Sequence, residues 1–228
     1  MSQLAASRLP ALPYIAPPDS GIEIVHLDSA LLLVNKPAGL LAVPGRGAEK
    51  QDCLARRVQA AHPSALIVHR LDMHTSGLLL FAFGKEMQRQ LSIHFAQRRI
   101  DKRYVAVVAG QPVAASGTID LPLAADWPRR PRQKVDRLAG KPARTRYQVL
   151  QHDAAADTTR LALWPETGRT HQLRLHLQAI GHPIIGDLLY GGGATPGQPQ
   201  RLLLHAENLA LVHPASGQTM RFSSAAPF

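Results

Sequence analysis

Apolar positions along this chain fall into two patterns, and the change from one to the other marks out its elements. Runs apolar throughout predict strands covered on both faces: Leu31–Val34, Leu66-Ile67-Val68 and Leu78-Leu79-Leu80-Phe81. Ile22–Leu27 pairs with the first of these around an Asp28-Ser29 turn. Asn35-Lys36-Pro37-Ala38-Gly39 reads as a turn, Leu40–Val43 as a short apolar strand and Pro44-Gly45-Arg46-Gly47 as a loop. Helical spacing appears three times. Leu54, Val58 and Ala61 share a face over 52–61, with Asp52 placed to cap it, and Met87, Leu91 and Phe95 recur every four residues over 85–98. A third helix runs over 170–180 and is closed by Gly181 and then Pro183. Further strands are predicted at 104–108, 118–123, 143–150, 159–163, 202–204, 209–212 and 220–222, the last two joined by a turn at 214–217. Strands outnumber helices and short turns join many of them. The expectation is an α+β fold with a mixed, largely antiparallel central sheet flanked by helices and loops. Pro10, Pro13, Pro17 and Pro18 make residues 1–21 a flexible N-terminal tail, with one domain over 22–228.

Two of the apolar strands enclose the polar loop His69-Arg70-Leu71-Asp72-Met73-His74-Thr75-Ser76-Gly77. One carboxylate, one guanidinium and two imidazoles are thereby held at the edge of a buried scaffold, which is a rigid platform for chemistry. An aspartate in a tight turn also bonds its own backbone, so the loop by itself leaves Asp72 open as turn former or catalyst.

Charge adds a partner. Among 228 residues, 26 Lys and Arg face 16 Asp and Glu, a formal charge of +10. Such a balance favours a polyanion, nucleic acid or an anionic membrane surface. The bases concentrate at Arg129, Arg130, Arg132, Lys134, Arg137, Lys141, Arg144 and Arg146, just after Trp127, with Asp136 the one acid among them. Arg144 and Arg146 fall on the same face of a strand. A charge run is often only a solvated surface, but in a chain this basic the cluster reads as a polyanion contact. The single cysteine, Cys53, permits no intramolecular disulfide, and no apolar run approaches the ~18 residues of a spanning helix, so a cytoplasmic protein is expected.

Several chemistries are excluded by their missing parts. His69-Arg70-Leu71-Asp72 has a residue too many for a kinase catalytic loop, and no Gly-rich loop or Asp-Phe-Gly accompanies it. Gly45-Arg46-Gly47 lacks the rest of a phosphate cradle. Eleven histidines raise the question of metal, but His171 and His176 do not share a helix face, and neither a Cys pair nor a His-Glu-x-x-His motif is present. No Gly-x-Ser-x-Gly elbow supports a serine hydrolase. A glycoside or nucleoside hydrolase wants a second carboxylate beside the first, which the Asp72 loop does not supply.

Six segments, in order, resemble the RluA-type pseudouridine synthase family: Asn35-Lys36-Pro37-x-Gly39; His69-Arg70-Leu71-Asp72-x-x-Thr75-Ser76-Gly77; Lys102-x-Tyr104; Gly168-Arg169-Thr170-His171-Gln172-Leu173-Arg174; Gly186-Asp187-x-x-Tyr190; and Leu203-Leu204-His205-Ala206. The resemblance runs from about residue 22 to residue 228. It implies a pseudouridine synthase catalytic domain that isomerises uridine to pseudouridine in RNA without cofactor or metal. Asp126-Trp127-Pro128-x-Arg130-Pro131-x-Gln133-Lys134-Val135 looks like the short branch of the family, which lacks an S4 RNA-binding domain and acts on 23S rRNA and on the tRNA anticodon stem-loop. Hairpin loops of rRNA and tRNA are therefore the expected partners of an expected monomer, with no membrane partner. By the same resemblance Asp72 is the essential carboxylate, Tyr104 stacks on the uracil and assists proton transfer, and Arg169 pairs with the aspartate. Arg70 is expected to fill the space left by the flipped base or to hold a flanking phosphate. The bases of 129–146 are expected to grip the RNA backbone. The alternative is a non-catalytic RNA-binding or ribosome assembly protein on the same fold; intact Asp72, Tyr104 and Arg169 weigh against it.

Overall fold

The structure, a computed structural model, describes residues 14–191 and 201–228. In chain order the strands are β1 (Glu23–Leu27), β2 (Leu31–Lys36), β3 (Ala65–Ile67), β4 (Ser76–Phe83), β5 (Asp101–Ala109), β6 (Ser116–Asp120), β7 (Leu123–Ala125), β8 (Gln133–Val135), β9 (Arg144–Asp153), β10 (Thr158–Pro165), β11 (Leu204–Val212) and β12 (Thr219–Ser223). The helices are α1 (Leu54–Ala61), α2 (Lys85–Ala96) and α3 (Gln172–Ala179). Among the described residues one sheet runs β1-β2-β4-β11-β5-β10-β9-β6, with β3 on β4 and β12 on β11, while β7 and β8 form a separate hairpin. Its only parallel pair is β4 with β11; the other pairings are antiparallel. The fold is α+β with a mixed, mostly antiparallel sheet.

The uniformly apolar strands are covered on both faces, as their composition requires. Leu32, Val34, Leu79 and Phe81 point into one core with Leu54 and Val58 of α1. Leu31, Leu33, Leu78 and Leu80 point into the opposite one, where Leu91 of α2 is fully buried and Met87 and Phe95 close the edge. Each such side chain contributes roughly 1.5–3 kcal/mol by leaving water. Across the sheet α3 lays Leu173 and Leu177 on Ala106, Val108, Leu161 and Leu163.

Several elements differ from the sequence reading. Leu40–Val43 is not a strand. Its Leu41 and Ala42 carbonyls accept the first amides of α1, from Leu54 (2.8 Å) and Ala55 (3.1 Å). The helix therefore needs no side-chain cap, and Asp52 instead pairs with Arg57 through two bonds of 2.7 and 2.8 Å. Of the segment 202–204 only Leu204 is strand, and it belongs with 209–212 to one element, β11, carried through its polar centre by a register shift between Ala206 and Asn208. Of the expected tail, residues 1–13 lie outside the described residues. Residues 14–21 rest on the domain: the Tyr14 hydroxyl donates to the Asp52 carbonyl (3.0 Å) and accepts the Leu41 amide (3.2 Å), and Arg57 donates to the Pro17 carbonyl (2.7 Å). No helix among the described residues is long and apolar enough to cross a membrane.

Gly77 explains how β4 and β11 meet. Its φ is +113°, and a Cβ there would lie 2.4 Å from the Ala206 carbonyl oxygen. Only glycine lets the parallel pair approach where Ala206 stands opposite Gly77. This seam brings the loop before β4 close to β5.

Candidate active site

A cleft of about 1080 Å³ opens where the β3–β4 loop, the head of β5 and the entrance to α3 converge. That is slightly above the ~300–1,000 Å³ typical of small-ligand sites. Asp72, Tyr104, Arg70, Arg169, Arg174 and His171 are among its lining residues.

The loop bearing Asp72 is anchored from three sides. His69 Nε2 accepts the amide of Leu80 (3.0 Å), which β3 is too short to reach, and the ring stacks on Phe95 with centroids 4.3 Å apart. Burial, with Lys102 adding to it, pushes the His69 pKa down to about 3, so the ring stays a neutral acceptor. Lys36 secures the middle of the loop. Its side chain is fully buried and Nζ donates to the carbonyls of Pro37 (2.8 Å), Leu40 (2.7 Å) and Met73 (2.9 Å). The Met73 carbonyl also accepts the Gly39 amide (2.9 Å), which clamps the residue after Asp72 to the Lys36–Gly39 turn. Burial draws the Lys36 pKa down to about 7, against the opposing pull of the Asp72 charge. The Thr75 amide closes the loop on the Asp72 carbonyl (3.1 Å). His74 is half-buried, and its pKa is lowered first by burial and then by Arg174 and Lys36.

Asp72 therefore needs no turn-forming side-chain bond. Its carboxylate is 28% exposed to the cleft and receives Arg174 Nη1 at 3.4 Å. Arg174 is itself buried and held by Asp187, from Nε and from Nη2, each at 2.7 Å. Asp187 also accepts the amides of Leu189 and Tyr190. One edge of the guanidinium is thus consumed by a fixed fork, and Nη1 is left to face Asp72. Burial works against the Arg174 charge, but the Asp187 hydrogen bonds and charge raise its pKa on balance.

Here the structure corrects the assignment of the paired arginine. Arg169 does not reach Asp72; its Nε donates to the Pro142 carbonyl (3.1 Å) at the rim of the cleft. Arg174, five residues on and inside α3, is the partner. The sequence held a signal for it, since a charged residue amid the buried run Gln172–Leu177 requires a buried counter-charge, and Asp187 supplies one.

Tyr104 sits on β5 opposite Ala206 of β11 and Leu163 of β10, at the seam between two of the cores. Its hydroxyl has no hydrogen-bond partner among the described residues. Burial first, and then the Asp72 charge, raise its pKa well above the phenol range, so the group stays a neutral O–H.

Arg70 is exposed on the cleft wall, two residues before Asp72. Of the other predicted RNA contacts only Arg146 lines the cleft, and it shares Glu166 with Arg144 at 3.0 and 3.4 Å, which confirms their common face. Glu166 lies outside the basic window, so sequence spacing did not reveal it. Arg129, Arg130, Arg132, Lys134 and Lys141 sit outside the cleft on and beside the β7–β8 hairpin. There Arg129 bonds Asp126 (2.7 Å), Lys134 meets Asp136 (3.0 Å), and the Arg130 guanidinium lies 3.3 Å from the ring centre of the exposed Trp127. Among the described residues no group of three His, Cys, Asp or Glu is placed to hold a metal ion.

Comparison with known proteins agrees with this geometry. Residues 30–179 match a family described as RNA pseudouridylate synthase. The chain is 47% identical over 215 residues to the dual-specificity RNA pseudouridine synthase RluA of Escherichia coli K12, covering 94% of this chain and 98% of that protein. The RluA of Vibrio vulnificus is 48% identical over 208 residues, 90% of this chain and 83% of its own. Among solved structures, human RNA Pseudouridylate Synthase Domain Containing 1 superimposes with a TM-score of 0.76 at 30% identity, over 94% of this chain and 87% of that one.

Proposed function

Since the chain belongs to the RNA pseudouridylate synthase family, we propose that it turns uridine into pseudouridine in hairpin loops of 23S rRNA and of the tRNA anticodon arm, with Asp72 as the carboxylate the reaction requires. The observation that carries this reading is one cleft in which the Asp72 carboxylate, held 3.4 Å from Arg174, shares its walls with the neutral phenol of Tyr104. The dual RNA substrate is supported by relatives named as dual-specificity enzymes that match over nearly their whole length. The reaction is an isomerisation: the N1–C1′ bond breaks, the uracil turns, C5 joins C1′ and a proton passes from C5 to N1. Asp72 attacks as a nucleophile or removes a ribose proton as a base. Tyr104 offers a face for the extruded base and a hydroxyl for proton transfer. Catalysis rests with the domain of residues 22–228, acting as a monomer in the cytoplasm. The test is incubation with rRNA and tRNA hairpins followed by chemical mapping of pseudouridine. RNA that is bound but unconverted points to a binding protein instead, and released free uracil points to a hydrolase.

Arg70 serves the RNA. With no protein partner among the described residues and a place on the cleft wall, it is free to fill the gap left by the extruded base or to hold a flanking phosphate. Extrusion costs a few kcal/mol. Arg70→Ala should slow turnover of a hairpin about tenfold or more with no change in unfolding midpoint, and equal kinetics on the hairpin would refute the role. Arg129, Arg130, Arg132, Lys134, Lys141, Arg144 and Arg146 grip the backbone. If about five of them meet phosphates, the logarithm of affinity should fall with the logarithm of salt at a slope near −3.5, from ~0.7 per single-strand phosphate. A slope near zero in a salt titration would remove the basic surface from the interface.

A further inference from the structure

His171 is the residue of the cleft whose state the surrounding bonds dictate and whose use the roles above leave open. It precedes α3 with φ +54°, a left-handed conformation that residues other than glycine rarely adopt and that tends to mark functional positions. Its Nδ1 lies 2.8 Å from the Tyr190 hydroxyl. That hydroxyl already accepts the backbone amide of Gln133 (2.8 Å), and among the described residues the one acceptor in reach of its own proton is His171 Nδ1. The chain of donors therefore runs from the Gln133 amide to the Tyr190 oxygen and from the Tyr190 proton to Nδ1. A neutral imidazole that accepts at Nδ1 must carry its proton at Nε2. Burial, the largest influence, keeps the ring neutral by lowering its pKa, although the Asp72 charge opposes this. Nε2–H has no protein partner among the described residues and is not sealed from the cleft.

We propose that His171 Nε2–H donates a hydrogen bond to a carbonyl oxygen of the flipped uracil, holding O2 before the base turns and O4 afterwards. This rests on the uridine-isomerising reading above. Turning uracil about its N3–C6 axis exchanges N1 with C5, and the same turn exchanges C2 with C4. One fixed donor therefore meets a carbonyl in both states, which suits a reaction in which the base must rotate without leaving. When the N1–C1′ bond breaks, its electron pair stays with the base and spreads onto the carbonyl oxygens. A neutral, preoriented donor stabilises that charge more than it stabilises the uncharged uridine. A phosphate would be better served by the cationic Arg70, Arg146 and Arg169 on the same cleft.

The test compares two variants on hairpins carrying uridine, 2-thiouridine or 4-thiouridine at the target position. His171→Asn tolerates the positive φ and keeps an acceptor for Tyr190, but it ends short of the Nε2 position. His171→Gln restores an N–H near that position. His171→Asn should lower kcat by about 100-fold with KM for RNA within about twofold, and His171→Gln should regain at least about tenfold. Sulfur is the weaker acceptor, so each thio-substitution should slow the wild type and cost His171→Asn little more. A kcat for His171→Asn close to wild type, or an undiminished thio penalty in that variant, overturns the proposal. Conversion of the all-oxygen hairpin by the wild type reports separately on the activity itself.

Discussion

Asp72→Asn is expected to lower conversion of a uridine-containing hairpin by at least ~10⁴-fold, the loss typical when an enzyme is deprived of its nucleophile or essential base. The substitution preserves shape. The loop's own closure survives, because Thr75 bonds the Asp72 backbone carbonyl and Lys36 holds the carbonyl of Met73. Arg174 keeps both of its bonds to Asp187. The Asp72 side chain is also 28% exposed, so its charge is worth little to the fold and the unfolding midpoint should correspond to a change within ~1 kcal/mol. RNA affinity should hold as well, since the basic surface lies elsewhere. Single-turnover conversion, read beside a denaturation curve, checks both halves. Activity within tenfold of wild type would take the chemistry away from this carboxylate.

The second large effect belongs to Arg174. Removing it with Arg174→Ala leaves Asp187, whose side chain is wholly inaccessible, as an uncompensated buried charge, and should cost ~3–5 kcal/mol in stability. Arg174→Lys is the informative variant. It keeps the positive charge, but a single ammonium cannot reproduce the fork on Asp187 and also face Asp72. More of the fold should survive, with kcat down roughly 10²-fold, the scale of loss when a reacting group shifts by about an ångström. Arg169→Ala is the control. Its guanidinium meets only a backbone carbonyl at the rim, so stability should move by less than ~1 kcal/mol and kcat by much less than in Arg174→Lys. The reverse order of the two kcat losses would return the pairing role to Arg169.

These two arginines mark where sequence reasoning reaches its limit. Leu31–Val34 and Leu78–Phe81 are legible because strands buried on both faces must be apolar throughout, and α2 because Met87, Leu91 and Phe95 keep helical spacing. The hairpin of β7 and β8 escapes such reading: three residues per strand carry no periodicity, and Pro128 and Pro131 punctuate its tip. β11 looks like two strands because Glu207 and Asn208 interrupt its apolar pattern. In space both accept from Arg103, and a shift in register lets the strand continue past them. In the site, motif order places Asp72 and Tyr104 in one cleft. Which arginine of Gly168–Arg174 meets the aspartate depends on how the chain enters α3, a turn set by His171 at positive φ that no spacing rule anticipates. Lys36 is hidden for a related reason. It follows an apolar strand at what reads as an exposed turn, and only the carbonyls gathered around it make burial tolerable.

The place of β11 bears on how the enzyme comes into being. Asp72 belongs to the loop that leads into β4, and Tyr104 belongs to β5. Those two strands are not neighbours; β11, made roughly a hundred residues later, is the strand inserted between them. While the chain is being synthesised the N-terminal half of the sheet can collapse around α1 and α2, with β3 already on the far part of β4, but Ser76 and Gly77 of β4 and the facing edge of β5 stay unpaired until residues 204–212 have emerged. The carboxylate and the phenol therefore acquire a fixed separation only once β11 has been made. A chain stopped before β11 holds every motif from Asn35 to Tyr190 and still has no assembled active centre. Partial products thereby lack a fixed Asp72–Tyr104 pair, and the open edge of β5 exposes them to chaperones and proteases instead.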